Sequence, residues 1–485
     1  MLFIGIDLGT SAVKLLLMNE KGEILKTVSR EYPLFFPRPG WSEQNPEHWL
    51  EGTLSGLGEL LEGVDKGDVC GISFGGQMHG LVALDQNDEI IRPAILWNDG
   101  RAEKQTRYLN ETVGKERLTA LTANIAFAGF TAPKILWMRE NEPENFARIR
   151  KIMLPKDFLA YRLSGSFCTD VSDASGTLLF DVKNRRLSEE MLEICGIKRD
   201  MLPKVYESYE IVGTLKKEYA NALGIPETVK IAAGAGDNAA AAIGTGTVAD
   251  GDCNISLGTS GTVFISKDTF AVDGANALHS FAHANGKYHL MGCMLSAASC
   301  NKWWCEDILK TSDFSAEQQN APLPKDNPVI FLPYLMGERS PHNNPNARGV
   351  FFGMSMDTGR KDMTVAVLEG VAFALRDSIE AAKEAGAVLS TTKICGGGAK
   401  SPLWKSIVAN VTGLTVETVE SEQGPALGAA MLAAVGCGCF SSVNSAAKTV
   451  VRVTGKTVPD HGLSAQYEEK YNKFRRLYPA LKDLF

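Results

Sequence analysis

Ile6-Asp7-Leu8-Gly9-Thr10-Ser11, near the start of the chain, returns with one change as Ile255-Ser256-Leu257-Gly258-Thr259-Ser260 in the second half. Each copy ends an apolar strand, then supplies a glycine that lets the backbone turn tightly, then hydroxyls and amides able to approach an anion. A second apolar run follows each copy, Val13 to Met18 and Val263 to Ile265. Both copies therefore read as glycine-turned β-hairpins in two related domains, with a phosphate chain expected between them. They differ where chemistry would differ. The first carries an acid at Asp7 and a cation at Lys14, and the second has Ser256 and Val263 there. Only the first is expected to hold a metal.

A chain of 485 residues is long enough for two or three domains with a substantial core. Its net charge of −7, from 50 basic and 57 acidic residues without a basic run, argues against nucleic acid or an anionic membrane as partner. The first residues lack the basic start of a secretory signal and reach Asp7 at once. Residues 423 to 447 carry no charge, but Gly, Ala, Ser and Cys dominate them, short of the roughly 20 strongly apolar residues of a spanning helix. A buried small-residue helix is expected there instead. Ten cysteines are scattered without C-x-x-C pairs or zinc spacing, which points to free thiols in a reducing compartment. The expected location is cytoplasmic.

Beyond the first hairpin, Glu23 to Ser29 continues an antiparallel meander, and Asn45-Pro46 supplies the N-cap and first-turn proline of a helix reaching about Glu62. Val69 to Phe74 reads as a buried strand ending in Gly75-Gly76-Gln77-Met78-His79-Gly80. Glycines there bracket three long side chains at a strand's C-terminal edge, where α/β folds place ligands. Leu81 to Leu84 and Ile91 to Trp97 are expected to extend the sheet, with Asn98-Asp99-Gly100-Arg101 after them. Arg101 could hold a substrate or simply pair with an acid. Residues 102 to 165 read as helical, and the run Thr169 to Gly176, rich in acids and hydroxyls, reads as a capping loop.

Lys230 to Ala233 is a further strand, and Gly234-Ala235-Gly236-Asp237-Asn238 then opens an alanine-rich helix. Asp237 suits an N-cap and equally a carboxylate presented to a cleft. The flexible Gly244-Thr245-Gly246 follows, so the domain boundary is placed near residue 245, giving domains 1–245 and 246–485. In the second half, Lys393 to Cys395 feeds Gly396-Gly397-Gly398-Ala399-Lys400, and Ser401-Pro402 caps a new helix. A strand, three glycines and a capped helix favour a nucleotide contact over a plain turn. Residues 426 to 435 form the small-residue helix, suited to packing against a glycine loop, and 464 to 480 a solvated terminal helix.

With these residues in place the sequence resembles the FGGY carbohydrate kinases over nearly its whole length. Gly129-Phe-Thr131-Ala-Pro-Lys134-Ile-Leu-Trp137-Met-Arg-Glu140-Asn141 fits the first family signature. Gly349-Val-Phe351-Phe-Gly353-Met354, followed by Asp362-Met-Thr-Val-Ala366-Val-Leu368-Glu369, fits the second. The loops at Gly40 to Pro46, Gly76 to Gly80 and Leu96 to Arg101 are similar to those of members that phosphorylate D-xylulose. Glycerol-directed members carry Arg-Glu where this chain has Gln77-Met78, which argues against glycerol.

The resemblance implies an α/β fold of two actin-like ATPase (ribonuclease H-like) domains, duplicated mixed sheets with a cleft between them. It implies Asp237 as the base on the sugar hydroxyl, with Gln77, Met78, His79 and Asn238 lining the sugar site. Asp7 would order Mg²⁺ through water. ATP would be held by Thr10, Ser11 and Lys14, by Gly258, Thr259 and Ser260, and by Gly397, Gly398 and Ala399. Sugar and ATP are the expected partners, with a homodimer left open. Two other readings stand beside D-xylulose phosphorylation: another ketose or polyol as acceptor, and an actin-like or heat-shock-like ATPase acting on a protein partner.

Overall fold

The computed structural model describes all 485 residues. They divide into two compact units. The first comprises Met1–Val248, Ser280–Tyr288 and Gln423–Val451, and the second Ala249–His279, His289–Glu422 and Arg452–Phe485. The first unit thus runs a few residues past 245 and also takes in two later segments.

In the first unit the quoted hairpin is β1 (Leu2–Leu8) and β2 (Ala12–Asn19), and β3 (Ile24–Glu31) completes an antiparallel meander. The chain then returns as β4 (Val69–Gly76), parallel to β1, with β5 (Ile211–Thr214) antiparallel to β6 (Lys230–Ala232) and β6 parallel to β4. The resulting order is β5-β6-β4-β1-β2-β3. Strand β1 is central and covered on both faces, which explains why its sequence is almost continuously apolar and does not alternate. The edge strand β3 is mostly exposed.

The second unit repeats the plan. β7 (Cys253–Leu257) and β8 (Gly261–Lys267) are the second hairpin, followed by β9 (Tyr288–Met294). β10 (Thr391–Cys395) lies parallel to β7, β11 (Thr415–Val419) parallel to β10, and β12 (Val453–Thr457) antiparallel to β11. The order β9-β8-β7-β10-β11 repeats the order of β3, β2, β1, β4 and β6 in the first unit. The recurrence seen in sequence is therefore a repeat of topology. A separate core of aliphatic and aromatic side chains fills this unit, with Trp404, Tyr471 and the Arg360–Glu384 helix at its centre.

Several expectations fail: Lys151–Met153 is a strand within the stretch read as helical, and the terminal helix His461–Leu481 buries Tyr467, Tyr471 and Phe474 in the core and is not simply solvated. Val82–Leu84 pairs with Lys151–Met153, and Ala94–Ile95 with Glu43–Gln44, each as a two-stranded ribbon outside the main sheet. Apolar runs of that length carry no information on which strand they will pair with. The small-residue helix, Gly424–Gly436, is buried as expected and packs on β1, on β4 at Gly71 and Gly75, and on the Asp237–Gly244 helix. A Cβ at Gly5 would lie 1.9 Å from the Ala426 carbonyl oxygen, one at Gly244 2.0 Å from that of Gly424, and one at Gly428 1.9 Å from that of Ala240. Backbone thus meets backbone on both sides of the helix. Gly428→Ala must force these elements apart, and we expect a loss of about 1–3 kcal/mol or more in denaturant unfolding. A variant within about 0.5 kcal/mol of the parent would show that the contact relaxes freely. No helix is long and apolar enough to cross a membrane, and all ten cysteines are free thiols.

Candidate active site

The first-unit site grows from the C-terminal ends of β1 and β4. Asp7 stands opposite Lys14 in the antiparallel register and beside Gly75 in the parallel one. Burial and the neighbouring Asp237 carboxylate push Asp7 up to about 7, against the pull of Lys14. Asp237 begins the Asp237–Gly244 helix. Its Oδ1 accepts the Asn238 backbone N–H at 2.7 Å and the Asn238 amide at 2.9 Å, and Oδ2 makes no hydrogen bond within the chain. Burial raises this carboxyl to about 6. Gly236, not Asp237, occupies the N-cap position, so the side chain is not consumed as a cap.

Two carboxylates and one ammonium leave surplus negative charge in a desolvated place, and all-oxygen donors suit a hard divalent cation such as Mg²⁺. No three ligating side chains converge on one point. A cation here would therefore take one or two protein oxygens and complete its shell with water and phosphate, as Mg²⁺ does.

The Gly9 turn is closed by Gly9 N–H donating to Ala12 at 3.0 Å, and the Tyr32 hydroxyl donates to the Gly9 carbonyl. Thr10 is tied into a scaffold. Its hydroxyl accepts from the Trp97 indole at 2.9 Å and donates to Gln77 Oε1 at 3.2 Å, and its carbonyl accepts from Gln44 at 2.6 Å. Gln77 is 2% exposed and its amide nitrogen donates to Gln44 Oε1 at 3.0 Å. Both ends of Gln77 are thereby engaged inside the protein, and it holds the Thr10 loop. Ser11, by contrast, is exposed.

Met78 and His79 sit on a strained turn. His79 adopts φ 69°, a left-handed conformation that costs a non-glycine residue of order 1 kcal/mol and persists only where the surroundings hold it. They do so through the family signature: Thr131 Oγ1 at 3.1 Å and the buried Lys134 ammonium at 2.8 Å both donate to the His79 carbonyl. Its Nδ1 lies 2.7 Å from the Gly176 carbonyl, and its ring stacks on Phe130 at 4.5 Å with Phe281 nearby. A Cβ at Gly176 would collide with the His79 ring, and one at Gly236 with the Met78 side chain. Those two glycines make room for the turn.

Asp99 and Arg101 turn out to be structural. Asp99 accepts the Ser42 N–H at 2.6 Å and pairs with Arg101, whose buried guanidinium also reaches Glu43 at 2.7 Å and lies 3.7 Å from the Trp41 ring centre. Participants not assigned a role from sequence include Tyr32, Gln44, Trp97, Phe130, Thr131, Lys134, Gly176 and Phe281. Trp97 sits inside a quoted motif, whereas Phe281 comes from a distant segment and no local signal marks it.

The second unit carries its own cavity, of about 660 Å³, lined by Leu257, Gly258 and Thr259 of the repeated loop, by Gly397, Gly398, Ser401 and Trp404, and by Lys302 and Lys400. Gly397 has open space where a Cβ would stand, while Gly398 is wedged between Leu257 and the Trp404 ring. Ser401 caps the Pro402–Thr412 helix through the Trp404 N–H at 3.0 Å, and Pro402 occupies its first turn. Ser260 is exposed at the loop tip, and Ala399 packs toward the core, outside the lining. The size suits a ligand of nucleotide dimensions, and two ammonium groups suit an anionic one.

Sheets of this repeated order, with one carboxylate, Asp7, near the end of the first strand and another, Asp237, at the start of the helix that follows β6, define a phosphotransferase of the actin-like ATPase fold. The chain belongs to the FGGY family of carbohydrate kinases: residues 2–244 match the N-terminal domain of that family and 253–437 its C-terminal domain. It is 41% identical to the xylulose kinase of Escherichia coli (strain K12) over 487 aligned residues, spanning 100% of both chains. The crystal structure of a xyloylose kinase from Brucella ovis superposes with a TM-score of 0.96 at 37% identity, covering 100% of each chain. That of a gluconate kinase from Lactobacillus acidophilus superposes at 0.94 with 27% identity, over 99% of this chain and 98% of that one.

Proposed function

We propose that this chain transfers the γ-phosphoryl group of ATP to D-xylulose, giving D-xylulose 5-phosphate, in the cytoplasm. The observation that carries the sugar assignment is full-length identity of 41% to a xylulose kinase, together with the Met78-His79 turn held by Gly176, Gly236 and Lys134. In this reading Met78, His79 and Asn238 contact the sugar, and Gln77 acts through the Thr10 scaffold. Asp237 takes the proton of the attacking hydroxyl through Oδ2, the oxygen without a partner. A carboxyl raised to about 6 remains ionised at neutral pH and is a better base than an unshifted one. In the second unit Gly258, Thr259, Ser260, Gly397 and Gly398 are the proposed nucleotide contacts, and in the first unit Ser11 and Lys14 are the proposed phosphate contacts. Asp7 would hold Mg²⁺ through water, and the bound ion would supply neutralisation of charge on the phosphate oxygens.

The gluconate kinase shows that this fold accepts another acceptor, so the sugar is tested by ADP release across a panel of D-xylulose, D-ribulose, glycerol and gluconate. D-Xylulose is expected to give the highest kcat/KM. A clearly higher value for another member reassigns the substrate, and ADP release indifferent to every sugar supports the protein-partner ATPase instead.

A further inference from the structure

The acidic and hydroxylic run after Cys168 looks in sequence like a capping loop, but the structure makes it the support of the base. Asp170 ends the strand Cys168–Asp170 and precedes the short helix Val171–Ser175. It is fully buried, and its Oδ1 pairs with the buried Lys156 ammonium at 2.9 Å. Its other oxygen, Oδ2, receives two serine hydroxyls, Ser172 at 2.6 Å and Ser208 at 2.7 Å. Each serine holds one end of the tripeptide that presents Asp237. The Gly236 N–H donates to Ser172 Oγ at 3.1 Å, and the Gly234 N–H donates to the Ser208 carbonyl at 3.0 Å. Gly234 is left-handed, at φ 81°, so the tripeptide has little conformational preference of its own and depends on what holds it.

Resting on the assignment of Asp237 as base, we infer that Asp170 and Ser172 are positioning residues for that base, a buried clamp fixing the Gly234–Gly236 turn. The charge on Asp170 polarises both hydroxyls, and Lys156 keeps that charge in place. Asp157 at 2.6 Å and Asp173 at 3.6 Å complete the surroundings of the ammonium. Neither oxygen of Asp173 has a hydrogen-bond partner, so Asp170 alone connects this cluster to the turn. The same Gly236 borders Met78, so a shift of the turn would move base and sugar contact together.

The test compares Ser172→Ala, Asp237→Asn and the double variant in the full chain, reading kcat, KM for D-xylulose and Tm. Ser172→Ala removes the acceptor for Gly236 while leaving the Lys156 ion pairs intact. A displaced base costs about 10- to 100-fold in kcat, with KM for ATP unchanged. In the Asp237→Asn background the same substitution should cost less than about twofold, because a misplaced base that is already missing cannot be missed again. Ser172→Thr, which keeps the hydroxyl, should recover most of the rate. Should Ser172→Ala prove too unstable to assay, Ser172→Cys, a much weaker acceptor, replaces it in the same cycle. A folded Ser172→Ala at full rate beside an inactive Asp237→Asn overturns the clamp alone, as does a loss that adds in full to that of Asp237→Asn. An Asp237→Asn variant that keeps its rate overturns the base assignment and the clamp with it.

Discussion

Asp237→Asn is expected to lose about 10²- to 10⁴-fold in xylulose-dependent kcat, the usual contribution of a positioned general base, and to keep its melting temperature. The amide has the shape of the carboxyl and can still accept the Asn238 N–H through its oxygen, the contact that Oδ1 makes. It cannot take a proton from the attacking hydroxyl. Stability and turnover should therefore separate. Burial raises Asp237 to about 6, so the parent's kcat/KM should fall as pH drops through that region, where the base becomes protonated, and the residual rate of the variant should lack that limb. Side-by-side melting curves and initial rates decide the matter. A folded variant retaining more than about a tenth of the parental kcat would exclude the base assignment.

Asp7→Ala is expected to lower turnover by about 10- to 100-fold, the range for a group that holds a metal through its water shell, while leaving D-xylulose affinity nearly unchanged. The carboxylate lies opposite Lys14 in the hairpin register. Its chemistry is directed at phosphates. Removing it also frees Asp237 of a like charge, so sugar binding has no reason to weaken. Raising the Mg²⁺ concentration should restore part of the lost rate, since what the variant lacks is affinity for the ion. Equilibrium sugar binding measured beside kcat separates the cases: sugar affinity falling in step with turnover would contradict the metal role.

Much of this was written locally. The two I-x-L-G-T-S hairpins, the strand running into Gly75-Gly76, the Asn45-Pro46 and Ser401-Pro402 helix starts and the buried Gly424–Gly436 helix each depend on residues adjacent in sequence. Their signals are glycine turns, caps and periodicity, which act over a few positions and survive without tertiary context. The repeated hairpin even carried the duplicated topology. Tertiary structure decided what side chains far apart in sequence do to one another. It buried Gln77, expected to line the sugar site, as a brace between Thr10 and Gln44, and it paired Arg101 with Asp99 and Glu43. It also brought Phe281 to the His79 ring from a segment some two hundred residues away, and suspended the Asp237 turn from Asp170 through two serines. The physical reason is the same in each case. A polar side chain keeps its binding capacity for a ligand only if nothing in the folded protein claims it first, and in a desolvated interior most donors and acceptors within reach are claimed. Which partners come within reach depends on the packing of β1, β4 and their helices, which sequence spacing does not encode.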